Sequence, residues 1–221
     1  MKHINQKQTL ATTIKEQLTA LCSWKFFLFW VSNSLFGFGS AIVFVFIPDY
    51  AEQKGLSYQQ AVYILSTLGL CNAIGRLLNI LLSLCRCNHG NIYIISCTLS
   101  GICICLMNLD VSGSSNSFLA LAITCSSYGL FYGIQLANVA TVTSILSPQP
   151  FLNTAFGLTN LAAGVGTICG SPAAAFFFSI GGDRFELTYY IAGGATMLAG
   201  LILLPTICLK TPVSQVCDET E

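Results

Sequence analysis

One arginine sits where the sequence offers it no countercharge. Arg76 lies deep in an apolar run, 60–84, and all nine Asp and Glu of the chain fall in loops or tails, outside every such run. Placing a guanidinium in the centre of a membrane helix costs about 2.5–3.5 kcal/mol on insertion scales, so such a residue is kept for something. Three partners fit it: a bound anion, a group from another chain, or backbone carbonyls and amide side chains nearby. The same helix carries a polar face, because at 100° per residue Asn72, Arg76, Asn79 and Ser83 fall within about 60° of one another. Gly69 flanks that face. A second polar cluster, Tyr128, Tyr132 and Gln135, lies in the run 118–146, with Asn138 and Thr141 drifting away from it. Such a wall could hydrogen-bond a carboxylate or orient a planar ligand, and it could equally tie helices together. Asn33 and Asn160 read as interhelical ties.

The solvent that would position these residues is a bilayer. Of 221 residues 54% are hydrophobic and only 8% charged, against about 25% charged in a water-facing domain. The mean hydropathy is +0.71. A helix needs about 20 apolar residues to cross the hydrocarbon core, and six segments qualify: 26–47, 60–84, 92–109, 118–146, 154–180 and 188–209. Turn chemistry bounds each one: Pro48-Asp49, Lys54-Gly55-Leu56-Ser57, Asn88-His89-Gly90-Asn91, the Ser- and Gly-rich 110–117, Pro148-Gln149-Pro150 and Gly181-Gly182-Asp183. The runs are too long and too uniform for strands. The expectation is an all-α membrane protein of six transmembrane helices, flanked by segments 1–24 and 210–221, with the bundle at 25–209 as its whole body.

Six crossings bring both flanking segments to one side. If that side is the cytoplasm, the inner segments hold Lys2, Lys7, Lys15, Lys25, Arg86 and Lys210, and the outer loops only Lys54 and Arg184. This asymmetry follows the positive-inside rule. The acids Asp49, Glu52, Asp110, Asp183 and Glu186 then lie outside. No cleavable leader is apparent, and 9–24 is long enough for a short surface helix.

Other chemistries find little footing. With zero net charge and no Lys/Arg block, nothing points to nucleic acid. The eleven cysteines lack zinc spacing, and those within the apolar runs behave as small hydrophobes. Cys85 and Cys87, at a helix end, suit acylation or no modification at all. No nucleophile elbow, zinc-protease motif or phosphate-binding loop occurs, so neither an enzyme, a cofactor nor a metal site is expected. Glycines within the runs allow close helix approach, and Gly170-Ser171-Pro172 predicts a kink.

The stretch "FIPDYAEQKGLSYQQAVYILSTLGLCNAIGR" resembles the monocarboxylate transporter family of the major facilitator superfamily at its seventh and eighth helices. The matching positions are Pro48, Tyr50, Ala51, Gly55, Ser57, Ala61, Leu65, Ser66, Gly69 and Arg76. Further on, "SPQPFLNTAFGLTNLAAGVGTICGSP" resembles the family's turn between its tenth and eleventh helices and its Gly-Pro-Pro segment, with Ser171 at the first proline. The likeness covers most of 24–209 and implies one six-helix half of a twelve-helix bundle. It further implies that Arg76 faces the solute and pairs with its carboxylate; the polar faces read above make Asn72, Asn79, Tyr128, Tyr132 and Gln135 the expected lining of the same site. Family members coupled to protons carry an Asp four residues before the arginine; here that position is Asn72. The implied function is alternating-access transport of small organic anions in the cell membrane. The implied partners are the lipid bilayer, an N-terminal six-helix half and, for some members, an ancillary single-span glycoprotein. The alternative is a truncated, non-transporting chain that associates with full-length transporters.

Overall fold

A computed structural model of the chain describes residues 23–85, 88–108, 117–147, 151–182 and 184–208. Six long helices fill it: α1 (Trp24–Gln53), α2 (Tyr58–Leu84), α3 (His89–Leu106), α4 (Ser117–Leu146), α5 (Leu152–Ile180) and α6 (Glu186–Leu201). A one-turn helix, α7 (Leu204–Cys208), follows. All six are long and apolar enough to cross a membrane once α6 is taken on to Thr206. The expected surface helix at 9–24, Cys87 and the loops at 110–116 and 148–150 lie outside the described residues, apart from the last turn of the segment at Ser23 and Trp24.

Local chemistry sets the helix starts. Ser57 accepts the Gln60 amide while the Gln60 side chain accepts the Ser57 amide, closing a capping box at the head of α2. The turn before it uses Gly55 at φ +80°, a conformation that side-chain-bearing residues avoid. Asn88 caps α3 by accepting the Gly90 amide at 2.9 Å.

The first helix differs from the sequence expectation. Pro48 does not end it; α1 continues one and a half turns to Gln53. A proline removes one backbone bond, but here the turn beyond it is held by packing. Tyr50 and Ala51 are buried, and the Tyr50 hydroxyl donates to the Met107 carbonyl at 2.8 Å. Pro172 likewise stands inside a continuous α5.

The helices pack in a pattern that repeats. α1 lies against α5 and α6, α4 lies against α2 and α3, and α3 lies against α6. Exchanging α1–α3 for α4–α6 leaves this arrangement unchanged, the mark of a three-plus-three repeat. Glycines build the closest seams. A Cβ on Gly75 would strike the Leu130 carbonyl, and one on Gly129 or Gly133 the carbonyls of Leu68 or Asn72. Across the other seam, Gly37 abuts the Ala163 carbonyl, Gly166 that of Ser34 and Gly170 that of Phe38. α3 and α6 meet at Gly101, Gly193 and Gly200. Without a hydrophobic drive between helices in lipid, such close backbone approach is how they associate.

Polar ties fasten both ends of the bundle. At the end where α2, α4 and α6 begin, Tyr50 reaches Met107 and the Asn108 amide donates to the Glu186 carbonyl at 2.9 Å. At the opposite end, His89 Nδ1 lies 2.9 Å from Asn138 Oδ1, and Asn138 Nδ2 donates back to the His89 carbonyl at 2.5 Å. About one turn further in from that end, Ser32 of α1 donates to the Ala199 carbonyl of α6 at 2.6 Å, with its oxygen 3.0 Å from the Tyr93 hydroxyl of α3.

Candidate functional site

The tight α2–α4 seam fixes where Arg76 stands. Gly75 is buried against Leu130, and Asn72 is drawn onto Gly133, so the next side chain round the helix emerges at the seam's edge. Arg76 is exposed there, and its Nε donates to Asn72 Oδ1, one turn back, at 3.0 Å. An amide thus orients the guanidinium but does not neutralise it. The only ion pair found among the described residues is the surface contact of Arg184 with Glu186 at 4.0 Å.

An aromatic wall stands beside the charge. The rings of Tyr128 and Tyr132 are 5.7 Å apart, and Phe44 of α1 packs edge-on to Tyr132 at 5.1 Å. Phe36, also on α1, stacks on Tyr132 at 5.2 Å and 23°. Tyr132 is half-buried and so is the accessible member; Tyr128 is fully buried, with no hydrogen bond to its hydroxyl. α1 and α4 therefore meet through stacked rings, and α2 and α4 through glycines.

The six residues singled out from the sequence do not form one cluster. Arg76 and Asn72 are joined by a hydrogen bond at the α2–α4 edge, where Asn72 packs on Gly133, the neighbour of Tyr132. Asn79 turns inward instead: it is buried and its side-chain oxygen has no partner. Gln135 is fully buried beside Tyr93 and Cys97 of α3, on the side of α4 away from α2. Neither of its amide atoms has a hydrogen-bond partner in good geometry. Three positions along α4, about 60° of rotation, thus separate it from Tyr132 at the Arg76 edge. Asn138, which the sequence left between cavity wall and tie, is a tie, to His89. Asn33 bonds its own helix, donating to the Phe29 carbonyl at 3.1 Å, while Asn160 is exposed.

Sequence reasoning passed over Phe36 and Phe44, which look like ordinary apolar residues of α1. Their eight-residue spacing, two helical turns and a fraction, was the available sign of a shared face.

Comparison with known proteins places this geometry. The family model described as Major Facilitator Superfamily matches residues 29–215. Monocarboxylate transporter 12-B of Danio rerio is 24% identical over 175 residues, covering 78% of this chain and 35% of that protein. Monocarboxylate transporter 3 of Rattus norvegicus is 26% identical over 182 residues, covering 82% and 36%. Monocarboxylate transporter 14 of Homo sapiens is 24% identical over 187 residues, covering 83% and 35%. The chain thus spans little more than a third of the length of these relatives. Its six apolar helices, their repeated packing and the extent of the family match agree: the chain is a multi-pass membrane protein that belongs to the Major Facilitator Superfamily and forms one half-bundle of that fold.

Proposed function

We propose that this bundle forms one wall of a path for small organic anions that cross by alternating access, and that Arg76 is the group that pairs with the solute's carboxylate. The observation that carries the reading is the state of Arg76: exposed at a helix seam, oriented through Nε by Asn72, and without an acid. A guanidinium offers a carboxylate a planar fork of donors, and an unneutralised one inside a membrane favours an anionic ligand. Tyr132, with Phe36 and Phe44 behind it, supplies the apolar and hydroxyl flank for the solute's body. Asn79, Tyr128 and Gln135 support that wall from within. Asn72 cannot take up a proton, so coupling through this position is not available to the chain.

The other wall comes from a second six-helix bundle, which the family resemblance puts N-terminal to this one, and an ancillary single-span glycoprotein fits the same resemblance. Both flanking segments lie in the cytoplasm and the protein resides in the cell membrane, as the distribution of Lys and Arg supports. The test is uptake of a labelled monocarboxylate by the bundle joined to a complementary half. Arg76→Ala is expected to reduce uptake about a hundredfold or more at unchanged surface level, the scale for losing one partner of a desolvated charge pair. Arg76→Lys, which keeps the charge and loses the fork, retains part of it. Normal uptake by Arg76→Ala would sink the assignment.

A further inference from the structure

One buried side chain is short of partners twice over. Among the described residues, Gln135 is the one whose side chain has two buried polar atoms without a hydrogen-bond partner, Nε2 and Oε1. It lies on α4 beside Tyr93 and Cys97 of α3, and all three are completely buried. A primary amide has two hydrogens to give and an oxygen that accepts. Leaving such groups unmet inside a membrane bundle is costly, because neither lipid nor bulk water can serve them.

The neighbours of Gln135 form a chain whose direction is fixed. It begins at the end of α6, which stops at Leu201, where the Leu203 amide turns back to the Gly200 carbonyl at 3.2 Å. In a continued helix that amide would bond the Ala199 carbonyl. Here the Ala199 carbonyl accepts from Ser32 instead, at 2.6 Å. Ser32 has one hydroxyl hydrogen, and Ala199 receives it. The 3.0 Å contact between the Ser32 and Tyr93 oxygens must therefore carry the tyrosine's hydrogen. The Tyr93 oxygen is left as an acceptor, next to an amide with N–H groups to give.

We propose that a single water molecule is held between Gln135 and Tyr93. An amide presents an N–H and its oxygen on one side, so one water can accept from Nε2 and donate to Oε1. Its second hydrogen goes to the Tyr93 oxygen. Three bonds of this kind are what a buried water ordinarily makes. A direct contact of the amide on Tyr93 would leave Oε1 unmet, and a cation in the same place would leave Nε2 unmet. Water alone gives and takes hydrogens at once. The chain then runs from Gln135 through the water to Tyr93, Ser32 and the Ala199 carbonyl, joining α4, α3, α1 and α6 with one hydrogen in each link. The inference stands apart from the transport reading, and its test involves no uptake.

A brief X-ray pulse turns a bound water into hydroxyl radicals that mark the side chains beside it. The experiment is such radiolytic footprinting of the full chain in nanodiscs, read by mass spectrometry. Tyr50 is the reference, buried like Tyr93 but with its hydroxyl on the Met107 carbonyl. Labelling of Tyr93 is expected to exceed that of Tyr50. In Gln135→Met, of similar length and without hydrogen-bonding amide atoms, it is expected to fall to the Tyr50 level with an unchanged circular dichroism spectrum. In Tyr93→Phe, which removes the acceptor, labelling of Cys97 is expected to fall. Equal labelling of Tyr93 and Tyr50 in the unaltered chain overturns the proposal and leaves the amide on the tyrosine directly. Labelling that persists at Tyr93 in Gln135→Met, or at Cys97 in Tyr93→Phe, overturns it too, since other groups would then hold the water.

Discussion

The seam between α2 and α4 and the seam between α1 and α5 are built from the same parts and used differently. In each, three glycines press onto the carbonyls of the facing helix. Around the α1–α5 seam the polar groups are spent internally: Ser34 donates to the Ala162 carbonyl at 2.9 Å, and beside it Thr143 and Thr159 face each other at 3.5 Å across α4 and α5. At the α2–α4 seam a guanidinium emerges with one amide partner and an aromatic wall beside it. One backbone device therefore carries an internally satisfied seam on one side and a charge without an acid on the other. What differs is a single residue at the rim.

That comparison can be broken at its common element. Gly75→Leu and Gly166→Leu each drive a side chain into a carbonyl that cannot retreat, and each is expected to cost about 3 kcal/mol, the upper part of the range for overpacking. Thermal melts in detergent should show two similar losses. A Gly166 variant as stable as the unaltered chain would mean that the two seams are not equivalent in strength.

It can be sharpened by changing the rim alone. Asn72→Asp places a carboxylate where an amide now touches Arg76, within the one-turn spacing of helix ion pairs. An ionised carboxylate beside the guanidinium would neutralise Arg76 from within. Uptake should then fall in the variant and recover as pH drops and the acid takes a proton. The unaltered protein should show no such recovery, and the same slope in both would refute the idea that position 72 decides it.

Smaller effects follow from the ties. Ser32→Ala removes the bridge among α1, α3 and α6, and polar ties of this kind in membranes average about 0.6 kcal/mol. Gly157→Ala meets nothing, so its expected effect within one bundle is a gain of up to about 1 kcal/mol from helix propensity alone. Both are measurable by the same melts.

Much of this architecture is legible in the sequence, because lipid makes one rule dominate: a span is a long apolar run without acids. The six helices and Arg76 follow from it directly. Pro48 shows where local rules fall short, since whether a helix survives a proline depends on what the next turn packs against, here Tyr50 under Met107. Gln135 shows a second shortfall. On a helix that is apolar nearly all round, polarity does not reveal which face meets which neighbour, and a polar residue three positions from Tyr132 ends on α3 instead of near α2. Asn79 fails for the same reason, being 60° from Arg76 and yet inside the seam. The asparagine that became a tie, Asn138, needed His89 from a distant turn to declare itself.

The ties at both ends carry a mechanical consequence. Tyr50 to Met107 and Asn108 to Glu186 clamp one rim, His89 to Asn138 clamps the other, and Ser32 braces that second rim from a turn further in. A body clamped at both rims resists shear between its own helices, so the helices of the bundle would turn together and not slide past one another. Arg76, fixed to this frame through Asn72 and Gly75, would swing with it as a spoke does with its wheel.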